Sequence, residues 1–202
     1  MTTDAAWLSD HAFLMLVDAT VTPGDVRGAV SSARSAGLAG VVLYPSHLAL
    51  SGDTGDLVVA SVVGFPTGRH HTLVKAAEAR LAVAQGATEV WLTPDPTQTD
   101  VNALLAEFVA VREAVPPPVT LVVILESALR PDVREVAEAA ARAGVDRLVT
   151  DSGWFGGTAT AMSVPLPYLA RAEDLEAVIS ALEQGADRVG VTDVAAVCPP
   201  PR

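Results

Sequence analysis

The stretch GVDRLVTDSGWFGG, Gly144 to Gly157, carries the reading on which the fold turns. A helix-period segment runs into Gly144, a residue suited to the left-handed position that ends a helix. The apolar run Leu148-Val149 follows without the polar alternation of a half-exposed strand, as a strand buried on both faces requires. The same order of signals recurs in AGLAGVVLY (Ala36 to Tyr44), QGATEVWLT (Gln85 to Thr93) and QGADRVGVTD (Gln184 to Asp193). Each reads as the junction from a helix into a parallel strand.

Working outward, the strand candidates are FLMLVDAT, GVVLYP, LVVASVVGFP, EVWLTP, VTLVVILES, RLVTDS, VPLPYLA and RVGVTD. Helix-period segments separate most of them. Thr22-Pro23-Gly24-Asp25 offers an N-cap, a proline at the first helical position and an acid at the third, with Val26, Ala29, Val30 and Ala33 as the apolar stripe. After PTGRHHT the stripe is Leu73, Val74, Ala77, Leu81 and Ala84, which the spacing turns inward. Further helices start at Asp100, at Pro131 and before Leu175. Alternating strands and helices in one chain predict an α/β protein, a small (β/α)8 TIM barrel. The segment from Gly157 to Val164 is too short for a crossover helix, so the helix between strands six and seven is expected to be missing. The outer faces of those two strands would then lack cover, and a homo-oligomer or protein partner is expected there.

The chain has 202 residues, half of them apolar, and the expected organisation is one barrel domain over 1–196 with a Pro-rich tail over 197–202. No apolar run approaches the roughly 20 residues that span a bilayer. Met1 to Asp10 lacks the basic start and apolar centre of a signal peptide, so the cytoplasm is the expected compartment. A net charge of −11 disfavours nucleic acid and anionic membranes as partners. With Cys198 as the sole cysteine, an intrachain disulfide and a multi-thiolate metal site are excluded. Neither G-x-G-x-x-G nor G-x-x-x-x-G-K-[ST] occurs, so no nucleotide cofactor is expected.

SVVGFPTGRHHTLVKAAEARLAVAQGATEV (Ser61 to Val90) resembles the deoxyribose-phosphate aldolase family, in which a barrel strand ends in Gly-Phe-Pro and leads into a helix with a Thr-x-x-Lys start. TPGDV, YPSHL, VILESALRPDVREVAEAAARAGVDRLV and SGWFGGTAT are similar to the same family in the same order, so the resemblance runs from about Thr22 to Thr192. It implies a barrel and a reversible aldol reaction, acetaldehyde with glyceraldehyde 3-phosphate, through a lysine Schiff base. It also implies where that chemistry would sit. The Schiff-base lysine, on strand six before Thr-Ser-Thr-Gly-Phe, corresponds to Val149. The assisting lysine of strand seven has its best match at Pro167, and the aspartate of strand four falls at Trp91. The phosphate-binding Ser-Gly-Gly after strand seven reads Leu169-Ala170-Arg171, and the hydroxyl pair after strand eight reads Thr192-Asp193. The expectation is a non-catalytic or repurposed barrel that binds a small unphosphorylated molecule or a protein.

Other chemistry has candidates. Lys75 is the only lysine, so it is the one side-chain amine open to a Schiff base; the plainer reading is a solvated helix-start lysine held charged by Glu78. His47, His70, His71, Asp95, Glu126, Asp151 and Asp193 fall at strand ends or the loops after them, yet no H-E-x-x-H exists and no metal is expected. Glu126 and Asp151 are the carboxylates for acid–base work, with a structural hydrogen bond and a turn role, respectively, as their plainer readings. Trp91 and Trp154 read as core packing or as rings narrowing the mouth. The expected ligand-lining set is Asp18, Tyr44, Trp91, Asp95, Glu126, Val149, Thr150, Asp151 and Asp193.

Overall fold

In the computed structural model eight parallel strands pair in chain order and close on themselves, β1 with β8. They are β1 (Ala12–Leu16), β2 (Gly40–Leu43), β3 (Val58–Val63), β4 (Glu89–Leu92), β5 (Thr120–Leu125), β6 (Arg147–Thr150), β7 (Tyr168–Arg171) and β8 (Arg188–Val191). The structure describes residues 10–126, 132–150 and 166–198. Around the barrel run α1 (Pro23–Ser35), α2 (Thr72–Ala84), α3 (Val101–Ala114), α4 (Val133–Arg142) and α5 (Leu175–Glu183); a 3-10 turn, Pro45–Leu50, follows β2 and another, Val194–Ala196, follows β8. The link between β6 and β7, where a helix was expected to be missing, lies outside the described residues. No described helix is long and apolar enough to cross a membrane.

Alternation along each strand divides two cores. Phe13, Met15, Val42, Val62, Trp91, Val149 and Leu169 point inward and form one cluster. Their neighbours, such as Leu14, Val41, Val63, Val90 and Leu148, point outward against the helices. Burial on both faces is why the strands read as unbroken apolar runs. At the N-terminal end of the barrel, the Arg188 guanidinium donates to Glu89 at 2.6 Å and lies 4.7 Å over the Phe13 ring. Gly190 leaves room for Met15, because a Cβ there would sit 2.5 Å from its sulfur.

The α1 start is capped as expected, with the Thr22 N–H donating to Asp25 at 2.9 Å. The reading of α2 is corrected. Leu73, Val74 and Leu81 are 71%, 54% and 55% exposed, while Lys75, Ala79 and Ala82 face the barrel. Two stripes on this helix could each pack inward, and the one with small side chains lets its backbone approach the sheet. Lys75 is therefore not a solvated lysine: it is 1% exposed, and its Nζ donates to both oxygens of Glu107 on α3, at 2.9 and 3.0 Å. Glu78 instead accepts from the Gly64 N–H at 2.8 Å.

The expectation of bare outer faces on β6 and β7 is also corrected. Leu148, Thr150, Tyr168 and Ala170 are all buried within the single chain. At the start of the expected tail, Val197 is buried in the outer core and the Cys198 thiol reaches the Ala36 carbonyl at 3.7 Å.

Candidate functional site

The C-terminal ends of the strands define the mouth, and strand parity decides which residues look into it. Val149 and Leu169 are register partners on β6 and β7, both buried inside the barrel. The inward β7 position beside Val149 is thus Leu169; Pro167 precedes the strand. Parity turns Thr150 to the outer face, where it is fully buried and its hydroxyl lies 3.4 Å from the Leu169 carbonyl. Trp91 fills the middle of the barrel, its ring centroid 6.1 Å from that of Phe13. Its indole N–H donates to Glu89 at 3.1 Å, away from the mouth. These side chains make an apolar floor.

Above that floor the rim is polar. Continuing the inward series Glu89, Trp91 brings Thr93 to the mouth, 3% exposed, with a buried hydroxyl that has no hydrogen-bond partner among the described residues. Sequence reasoning passed over this residue, although the alternation Glu-Val-Trp-Leu-Thr contains the signal. Glu126 follows β5 on the parity of Val122 and Ile124 and is buried. The Tyr44 hydroxyl donates to the Val17 carbonyl at 2.9 Å, and its ring meets His47 and Phe65 edge-on at 5.9 and 6.1 Å. Burial, and then the nearby Asp18 carboxylate, push the Tyr44 phenol above its usual value.

Three candidate carboxylates serve turns. Asp18 accepts from the Thr20 hydroxyl and N–H at 2.6 and 2.8 Å, which holds its carboxyl below the usual range. Asp95 accepts from the Thr97 N–H and hydroxyl at 2.8 and 2.7 Å and faces Arg69 at 3.7 Å. Burial alone would raise the Asp95 pKa, but the Thr97 bonds, with Arg69 and Lys75, outweigh it and lower it. Asp193 accepts from the Ala195 N–H at 2.9 Å after β8. Of the histidines, His71 caps α2 by accepting from the Leu73 N–H at 3.2 Å, and His47 buries an Nδ1 without a partner among the described residues. Asp151 and Trp154 lie outside the described residues. Among the described residues no three His, Cys, Asp or Glu side chains converge as a metal site.

A deoxyribose-phosphate aldolase from Corynebacterium jeikeium is 33% identical over 242 aligned positions, covering 96% of this chain and 97% of that protein. The chain belongs to the deoxyribose-phosphate aldolase family. Another aldolase of this name, from Nocardia farcinica, is 43% identical over 150 residues, 72% of this chain and 65% of that protein. Among solved structures, the tetrameric deoxyribose phosphate aldolase from Aeropyrum pernix superposes with a TM-score of 0.88 at 25% identity, covering 96% of this chain and 90% of that one. No protein-family model matches the chain. In this aldolase-family barrel, inward Val149 on β6 and Leu169 on β7 carry hydrocarbon, Arg171 ends β7 on the same parity as Leu169, and the lone lysine lies between α2 and α3.

Proposed function

We propose that this member of the aldolase family binds a small, unphosphorylated, hydroxyl- or carbonyl-bearing molecule at the barrel mouth and does not form a lysine Schiff base. The observation that carries this is the pairing of Val149 with Leu169 over Trp91, where Schiff-base chemistry needs a neutral amine. Lys75 does not supply one, because its Nζ is bound to both oxygens of Glu107 between α2 and α3, outside the inward cluster of the barrel. The rim suits a neutral polar ligand. Thr93 offers a buried hydroxyl that gains a partner on binding, and an unsatisfied group of this kind costs about 1–3 kcal/mol while it waits. A phosphate is disfavoured, since after β8 the Asp193 carboxylate already takes the Ala195 N–H.

A second reading is favoured by Glu126: a buried carboxylate on the inward face is placed for acid–base work on the same ligand, with Asp151 as its expected companion. Turnover lost in Glu126→Gln with binding retained would select it. The tetrameric state of the Aeropyrum relative supports self-association of this chain too, and the cytoplasm is the compartment this reading assumes.

The test is calorimetry with 2-deoxyribose and with 2-deoxyribose 5-phosphate. The expected result is binding of the free sugar that the phosphate does not improve. A phosphate ester bound about tenfold more tightly, a gain of about 1.4 kcal/mol, would contradict the proposal.

A further inference from the structure

Four side chains from β1, β4 and β8 close a circuit inside the barrel. The Trp91 indole N–H donates to one Glu89 oxygen at 3.1 Å, and the Arg188 guanidinium donates to the other at 2.6 Å. Arg188 in turn lies 4.7 Å over the Phe13 ring, and Phe13 meets Trp91 at 6.1 Å with the two ring planes tilted by 36°. Glu89, Phe13 and Trp91 are all buried.

This circuit fixes the one large ring in the middle of the barrel. Glu89 and Trp91 are two residues apart on β4 and so share its inward face. An indole in apolar surroundings has a single polar group to satisfy, its N–H, and the acceptor here lies toward the N-terminal end. A carboxylate at that depth needs a cation, which Arg188 brings from β8. The ring cannot tip toward the mouth without orphaning its own N–H, at a cost of about 1–3 kcal/mol. Above it β4 offers one further inward position, Thr93, so the floor lies two residues, about 7 Å of strand, below the rim.

We propose that Glu89 and Arg188 are positioning residues that hold Trp91 down as the floor of the ligand site, and that Trp91 thereby sets ligand length, admitting short molecules and rejecting longer ones. This rests on the reading of the barrel mouth as the ligand site. Neither Glu89 nor Arg188 touches the ligand; both act through the indole.

The experiment is calorimetric titration with 2-deoxyribose and with 2-deoxyglucose, one carbon longer. It compares the wild type with Trp91→Phe, the double variant E89L/R188L and Glu89→Gln. Replacing both charges at once leaves neither buried without a partner. Val30→Ala, in the outer core, controls for lost stability alone. Near-UV circular dichroism of the wild type minus W91F isolates the Trp91 band from those of Trp7 and Trp154. The expected wild type prefers the five-carbon sugar by at least about tenfold. W91F and E89L/R188L should each narrow that preference about fivefold, V30A should leave it in place, and E89Q, which keeps an acceptor for the indole, should restore it. The Trp91 band should collapse in E89L/R188L and survive in E89Q. An unchanged preference in W91F, or one narrowed equally in V30A, overturns Trp91 as the gauge of length. A Trp91 band intact in E89L/R188L overturns the tether. A wild type that binds neither sugar overturns the reading of the mouth and the gauge with it, while the band still decides the tether.

Discussion

Val149 and Leu169 stand opposite one another on adjacent strands, both buried, and fill two neighbouring inward positions of the barrel with hydrocarbon. An amine at either position would sit over Trp91 in a place that strongly disfavours the charged form. The surroundings would lower a lysine's pKa, and these two positions hold hydrocarbon instead.

That leads to a gain-of-chemistry prediction. In Val149→Lys the new amine should be held largely neutral by desolvation, which can lower a lysine by as much as about 5 pKa units. Borohydride reduction in the presence of acetaldehyde should add one N-ethyl group to the peptide holding position 149. The wild-type peptide should stay unmodified under the same conditions.

Lys75 should behave as part of the framework. Lys75→Met leaves Glu107 without its ammonium partner at a site where the lysine is 1% exposed, and should cost about 3 kcal/mol in denaturant unfolding. The double variant K75M/E107L should lose less than K75M alone. A catalytic lysine would show the opposite pattern, with stability kept and activity gone.

Gly68 sits at φ +69°, and a Cβ there would fall inside the Pro94 carbonyl. The contact is with backbone, which cannot swing aside. Gly68→Ala should destabilise by about 2–3 kcal/mol and disturb the Asp95–Thr97 turn that follows.

Acid should weaken the fold through Asp95. Its folded pKa lies below the ordinary value of 3.8, so the unfolded chain takes up the proton first as pH falls. The stabilisation is therefore present above that value and lost as pH drops through the folded pKa. Denaturant midpoints measured from pH 6 down to about pH 3 should fall more steeply in the wild type than in Asp95→Asn.

The strands were legible because a glycine stop followed by a Val/Leu run is the grammar of a strand buried on both faces, and Gly37, Gly86, Gly144 and Gly185 all take positive φ ahead of their strands. The inward face of α2 was not. Its leucines and its alanines each make a helical stripe, and the choice depends on Glu107, 32 residues away, which gives Lys75 a partner. Local pattern holds no record of that distant acid. Thr93 was within reach, since period-2 alternation from Glu89 through Trp91 leads to it. The β7 position beside Val149 needed the strand register, Val149 opposite Leu169, which local pattern does not carry.

The central claim, that no amine stands ready in the barrel mouth, is tested most directly by acetaldehyde release from 2-deoxyribose 5-phosphate with the purified chain. The account predicts no release above a protein-free blank. Sustained turnover at rates like those of an aldolase from Corynebacterium jeikeium, measured side by side, would contradict it.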